Sequence, residues 1–345
     1  MKKLLLICFL LSIFMVITIG ANAQYQYMWN AGTTGEGSVG YVYIGVLSEI
    51  VNTYAGKDIF MTPIAYTTSL AGLKGFDQKE VASMYANSQV FSNIIYERGP
   101  FSPETYKWSA PINQMLWTFT SDYFFIIRKE DADKIKSWSD LANRTVFPRM
   151  IGTGTYEYLK VLLGPDGLNI WDTINIRTFD VGHAADALKL KEVDAVAANS
   201  TAGEIVSYAQ EVFYSTDCVV LGPTPEELEK LVESNDYTFP LSMNPDDFEQ
   251  DLGLTKTIKN PGMAFQYMVS PDVPEEIVYL VVKTVFENAA EMAELTTIWK
   301  AFAEDPWEFN LPFLTKFKEM GVPVHPGALR YFRELGHDTK LLGLE

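Results

Sequence analysis

Two short segments hold residue types able to grip an anion. One is Gly32-Thr33-Thr34-Gly35-Glu36-Gly37-Ser38-Val39-Gly40-Tyr41, and the other is Ile151-Gly152-Thr153-Gly154-Thr155-Tyr156. Glycine lets the backbone approach a ligand closely. Thr33, Thr34, Ser38, Thr153 and Thr155 add hydroxyl donors. A helix opening at either segment exposes unpaired N–H groups that favour a carboxylate or phosphate. The residues of the first segment leave two readings open, an anion cradle or a tight turn with a capped helix. Nucleotide motifs fail in both segments, since neither G-x-x-x-x-G-K-[ST] nor G-x-G-x-x-G is present. Two helix termini contribute about 0.3–1 kcal/mol each, whereas micromolar binding needs roughly 8 kcal/mol. Further donors and closure of the site must supply the rest.

Arg149, just before the second segment, can make a two-pronged contact with a carboxylate, or it can be a surface charge. Arg98 reads as a loop salt bridge. Asn87-Ser88-Gln89 follows a short strand and is either a set of donors at a cleft edge or a helix N-cap. Catalytic constellations are missing. His183, His325 and His337 are the only histidines, without H-x-x-x-H or H-E-x-x-H spacing, and no G-x-S-x-G occurs. No metal or cofactor is expected, and the chain does not read as an enzyme. An exported enzyme acting on a small anionic metabolite, and a sensor input, are the alternatives.

The elements that position these residues alternate. Strand patterns at 25–29, 59–66 and 81–86 are separated by helical patterns at 42–51 and 68–73, with another at 90–95. A second series runs from the strand at 123–128 through strands at 145–147, 174–179, 193–198 and 218–221. Its helices fall at 156–163, 184–191 and 204–212, and Ser137 to Asp140 resembles a capping box before a short helix. This βαβ rhythm predicts parallel sheets with helices on both faces. A helix at 224–232 follows, then an irregular acidic stretch from 235 to 261, a strand at 263–269 and helices from 275 onward.

The N-terminus predicts export. Lys2 and Lys3 precede an uncharged run from Leu4 to Gly20, and Ala21-Asn22-Ala23 fits a small-x-small cleavage site. The expected compartment is the periplasm, with cleavage after Ala23. The net charge of −17 excludes a basic footprint for nucleic acid or anionic membrane. Cys218, the only cysteine after residue 23, reads as the start of a buried strand, an inert core thiol.

Several blocks together resemble the TAXI family of solute receptors for TRAP transporters. They are the segment from Gly32 to Tyr41 with Ile44 to Ile50, Ile135 to Val146 followed by Gly152 to Thr155, Ala185 to Ala195, and His325-Pro326-Gly327-Ala328 continuing to Tyr331, Glu334 and Gly336. The resemblance implies an α/β fold of two Rossmann-like lobes with a ligand cleft between them, the type II periplasmic binding protein architecture. It implies a glutamate-like amino acid or dicarboxylate as ligand, and integral membrane TRAP permease subunits, driven by an ion gradient, as partner. By position it brings Thr34, Gly37, Ser38, Tyr41, Thr153 and Thr155 to the site. The chain departs from the pattern at Phe147 to Met150 and at Asn199-Ser200-Thr201, both around the expected cleft. The expected division is a signal peptide at 1–23, lobe I at 24–118 plus 222–345, and lobe II at 119–221. The expected state is a monomer with a small anionic solute in the cleft.

Overall fold

A computed structural model describes residues 27–36, 38–151, 153–248 and 250–342. The expected signal peptide and the glycines at 37 and 152 lie outside the described residues.

The first series folds as β1 (Tyr27–Thr34), α1 (Val39–Tyr54), β2 (Ile59–Tyr66), α2 (Ser69–Asp77), β3 (Ser83–Asn87) and α3 (Ser88–Ile95). A 16-residue strand, β4 (Asn113–Arg128), then leads into the second series. That series is β5 (Thr145–Phe147), α4 (Gly154–Leu162), β6 (Asn175–Ile176), α5 (Ala184–Lys189), β7 (Ala195–Thr201), β8 (Glu204–Ile205), α6 (Ser207–Ser215) and β9 (Cys218–Leu221). The chain returns through α7 (Pro225–Ser234), β10 (Phe239–Met243) and β11 (Ile258–Val269). It closes with α8 (Glu275–Glu287), α9 (Ala289–Leu295), α10 (Lys300–Glu304), α11 (Pro306–Glu319) and α12 (Pro326–Glu334).

Strand direction decides where a ligand can sit. The order is β2-β1-β3-β11-β4-β7-β5-β6, with β10 on β11 and β9 on β4. β1, β2 and β3 are parallel, as are β5, β6 and β7. β11 runs antiparallel to β3 and β4, and β4 antiparallel to β7. The two parallel sets therefore run in opposite senses, and their C-terminal ends face each other across β4 and β11. The register locates these ends. Asn87, the last residue of β3, lies opposite Phe265, which lies opposite Phe119. Phe147, the last of β5, pairs with Val196, itself opposite Ile126. Seven residues of β4 separate the two levels, about 23 Å at the rise of an extended strand. Ligands of open α/β sheets bind outside strand C-termini, and here two such edges confront one another.

The cores follow the same division. One gathers side chains from 29–119 and 264–342, with Trp117 stacked on Phe317 at 4.9 Å and Tyr43 on Trp299 at 5.0 Å. Beyond residue 122, β4 sends alternate side chains to opposite faces, as a period of two demands. Tyr123 and Phe125 join α4, Trp138 and Leu231 on one side, and Phe124 and Ile126 join α5 and α6 on the other. Cys218 is buried as a free thiol, and burial next to Asp217 pushes it up to about 12.

Four local expectations are corrected. The helix expected at 204–212 begins at Ser207, after the short strand β8, which pairs with β7. The strand at 174–179 shrinks to Asn175–Ile176. Ser137 to Asp140 opens no α-helix: Asp140 Oδ2 accepts from the amides of Lys136 and Ser137 and holds a turn, followed by a single 3₁₀ turn. The stretch from 235 to 261 holds β10 and the first residues of β11. Pro240 and Pro261 hid this hairpin. They sit opposite each other in the β10–β11 pair, and Pro261 lies just before the stretches of β11 that pair with β4 and β3, so it interrupts neither of those ladders. Thr224 and Glu227 build a full capping box on α7, with Thr224 Oγ1 accepting from Glu227 N at 3.2 Å and Glu227 Oε2 accepting from Thr224 N at 2.8 Å. Thr224→Ala is expected to lower stability by about 1 kcal/mol, read as a reduced midpoint in denaturant.

Candidate ligand cleft between the opposed strand ends

Each edge carries side-chain-capped helix starts. Ser38 caps α1: its Oγ accepts from Tyr41 N at 3.2 Å and lies 2.6 Å from Thr34 Oγ1. The seat is tight, because a Cβ at Gly40 would lie 2.6 Å from that same Thr34 oxygen. Asn87 caps α3 through Oδ1, which accepts from Val90 N at 2.9 Å. Across the crossing strands Thr153 caps α4. Its Oγ1 accepts from Tyr156 N at 3.3 Å and donates to the carbonyl of Met150 at 2.8 Å. The capped turns are thus genuine helix N-termini at strand C-ends, and residues 237–238 tie the two edges together. Ser88 Oγ donates to the Tyr237 carbonyl at 2.8 Å, and the Tyr158 hydroxyl of α4 lies 3.0 Å from Thr238 Oγ1. Gln89 lies beside the Tyr237 phenol and opposes the rise that burial imposes on it.

Arg149 brings a positive charge beside these strand ends. Its guanidinium lies 4.4 Å from the ring centre of Tyr208, a cation–π distance. Burial raises the phenols of both Tyr123 and Tyr208, and the Arg149 cation opposes that rise in each. The cation therefore sits between the crossing strand β4 and α6. Arg149 makes no ion pair among the described residues, and its buried Nε has no partner there. Its backbone is held at φ 90°, which a non-glycine residue adopts at a cost. Arg98, by contrast, is spent on Asp236 at 2.7 Å, as its loop position suggested.

The remaining residues singled out in the sequence divide by how they are used. Thr33 and Ser88 are fully enclosed; Thr33 Oγ1 has no partner among the described residues. Asn199 Nδ2 donates to Ser121 Oγ at 3.2 Å and Thr201 Oγ1 at 3.1 Å, which places it on the floor between the edges. Ser200 Oγ donates to Asp122. Tyr41 and Thr155 are half-buried on the first turns of their helices, and Gly154 is exposed with open space where a Cβ would stand. His183 stacks edge-on against Phe179 and reaches Glu192 at 3.1 Å, with no capping bond.

Sequence reasoning missed Ser121, Asp122, Tyr123, Tyr208 and Tyr237. A signal existed for three of them. Thr120-Ser121-Asp122 is a run of three polar residues in the middle of a 16-residue strand, between apolar stretches on either side, and is immediately followed by Tyr123. A polar run buried inside a strand calls for partners. Tyr208 and Tyr237 carried no such mark.

A profile of the NMT1-like family matches residues 31–336. Among solved structures, the chain is similar to a putative periplasmic sulfonate-binding protein of a sulfonate transporter from Methylobacillus flagellatus, at 12% identity over 92% of each chain and a TM-score of 0.50. It is similar to the periplasmic aliphatic sulphonate binding protein of Escherichia coli at 12% identity, over 89% of this chain and 82% of that one, with a TM-score of 0.39. It is also similar to a probable amino-acid transporter's extracellular binding protein from Bacillus subtilis, at 14% identity over 79% and 97%, with a TM-score of 0.42. The fold is the mixed α/β architecture of type II periplasmic binding proteins, as the sequence led one to expect.

Proposed function

The chain belongs to the NMT1-like family, and we propose that it is an extracytoplasmic receptor for a small anionic solute. The observation that carries this reading is Arg149, a cation without a carboxylate partner among the described residues, held where the two sets of strand ends meet. An arginine that is left unpaired in so acidic a chain is positioned for an incoming acid. Its planar fork matches a carboxylate, and the capped starts of α1 and α4 add amide donors from either side. The solute class is a carboxylate, a glutamate-like amino acid or dicarboxylate, as the blocks shared with TAXI receptors imply.

The mechanism is closure. Lobe I comprises 24–118 with 222–345, and lobe II comprises 119–221, although Leu231, Tyr237 and Met263 pack in one core of the second lobe and Met243 and Leu252 in the other. The solute contacts both lobes only when they close, so binding favours the closed form by that differential contact. The closed receptor, a monomer, then presents its solute to a TRAP permease. Among the described residues no helix is long and apolar enough to cross a membrane. The segment 1–23 acts as the export signal and is cleaved after Ala23.

Thermal-shift screening with amino acids, dicarboxylates and alkyl sulfonates tests the solute class. A rise in melting temperature with a carboxylate alone supports it, and a response to sulfonates alone replaces it. The Ser38 hydroxyl offers a finer check. Ser38→Ala loses both the cap, worth about 1 kcal/mol, and the hydroxyl, whereas glycine at an N-cap costs only a few tenths. Equal loss of affinity in Ser38→Ala and Ser38→Gly, with lowered stability only in the alanine variant, would place that hydroxyl on the solute. Unchanged affinity in both would remove it from the site.

A further inference from the structure

Asp122 lies on β4 where the chain passes between the two sets of parallel strands, and it is 6% exposed. Its Oδ1 accepts the Ser200 hydroxyl from β7, and its Oδ2 accepts Asn260 Nδ2 from β11 at 2.9 Å. One carboxyl thus joins three strands. Both side-chain donors are neutral, and Asp122 makes no ion pair among the described residues. Among the described residues its side-chain hydrogen-bond partners are uncharged, Ser200 from β7 and Asn260 from β11, and the Met243 sulfur of β10 lies 3.7 Å from Asn260 Nδ2. From β4 the titratable neighbour is the phenol of Tyr123, on which the Arg149 cation and the Tyr208 phenol also act. A buried carboxylate without a countercharge is costly.

A second observation sits against the first. Asn260 is 0% exposed, and its Oδ1 has no partner among the described residues. The orientation of an amide is set by its partners. A half-turn of the Asn260 side chain would present Oδ1, an acceptor, to Asp122. A carboxylate cannot use it, but a carboxylic acid can, by donating its O–H.

We propose that Asp122, Ser200 and Asn260 form a proton-operated clasp where the crossing strand β4 meets β7 of one lobe and β11 of the other. As the acid, Asp122 takes one proton from solvent, donates it in a hydrogen bond to Asn260 Oδ1, and ties β4 firmly to β11. As the anion, it accepts from Asn260 Nδ2 and Ser200 Oγ and carries a buried charge that loosens the crossing. β4 carries the chain from one lobe to the other and β11 is hydrogen-bonded along it up to Gly262 opposite Asp122, so the clasp holds the crossing strand at the lobe boundary and sets hinge stiffness by pH. Burial pushes the Asp122 carboxyl up to about 6, which puts the switch within reach of mild acid. The sign follows. The folded form binds the proton more tightly than the unfolded chain, so the destabilising share of Asp122 is full at neutral pH. It fades as pH falls below about 6 and is nearly gone near the unfolded value of 3.8.

The experiment compares the intact protein with Asp122→Asn, whose amide is a permanent neutral donor, from pH 8 to pH 4. Asp122→Asn is expected to melt higher than the wild type at pH 8, with the gap narrowing below pH 6 and closing near pH 4. A side-chain carboxyl resonance with a midpoint near 6 should be present in the wild type and missing from the variant. Hydrogen exchange, corrected for intrinsic rates, should show 119–122 and 260–264 gaining protection in the wild type on acidification and already protected in Asp122→Asn. A carboxyl midpoint in the ordinary range near 4, or a melting gap that does not move with pH, overturns the proposal. Ser200→Ala provides an arm that does not rely on the folding of Asp122→Asn. Loss of a donor to the anion should raise the midpoint of Asp122, and an unchanged midpoint counts against the clasp.

Discussion

Arg149→Ala is expected to weaken binding of the anionic solute by about 100- to 1,000-fold while the fold persists. Truncating one partner of a desolvated, hydrogen-bonded charge pair costs about 2–5 kcal/mol, and each 1.4 kcal/mol is a factor of about ten. The loss should appear mainly in the dissociation rate, because the solute would then be enclosed with an unpaired charge. Stability should change little, since Arg149 has no ion pair among the described residues to lose. Its main packing contact is the ring of Tyr208, and its φ of 90° stores strain. Arg149→Gly releases that strain, so it should bind as poorly as the alanine variant and melt slightly higher. Arg149→Lys should not rescue binding, because an ammonium lacks the planar fork. Calorimetric titration with the solute found in the screen is the measurement. Wild-type affinity in Arg149→Ala would remove the charge from the site and with it the case for an anion.

The second large effect concerns stability alone. Gly327→Ala is expected to destabilise the protein by about 2–3 kcal/mol, lowering the melting temperature by roughly 4–10 °C for a chain of this size. A Cβ there would stand 2.3 Å from the carbonyl oxygen of Glu275 and 2.6 Å from the amide nitrogen of Tyr279. Both belong to the backbone of α8 and cannot turn away. Around this contact the His325-Pro326-Gly327 run acts as one device. His325 Nδ1 accepts from Gly327 N at 3.1 Å, so Nε2 is the protonated nitrogen and donates to the Val273 carbonyl at 3.1 Å. Burial holds the His325 pKa below its ordinary value, which keeps the neutral form that capping requires. Pro326 takes the first helical position, where its missing N–H is not needed. Solute affinity of the folded variant should be unchanged, since α12 is remote from the opposed strand ends. A melting temperature within 1 °C of the wild type would contradict the close approach.

The architecture was legible because its causes are local. Apolar alternation in β1, β2, β5 and β9, and Gly/Thr turns before α1 and α4, announce strand, turn and helix within a dozen residues of chain. The N-cap roles of Ser38, Asn87 and Thr153 were readable for the same reason: a hydroxyl or amide before a helical pattern bonds an amide two or three residues ahead. Where local signals conflicted, reading failed. Pro240 and Pro261 masked a hairpin, and Asp140 looked like a cap when it closes a turn.

By itself the amino-acid order determined most element types, the capped turns and the burial of Cys218, since each depends on neighbours along the chain. Only the tertiary structure decided that β4 and β11 run between two oppositely directed parallel sets, and that Arg149 comes to rest against Tyr208, 59 positions away. It likewise decided that Asp122 meets Asn260, 138 positions on. Pairings over such distances are fixed by strand register and by the shared need to bury side chains, and neither is written in any short stretch of sequence.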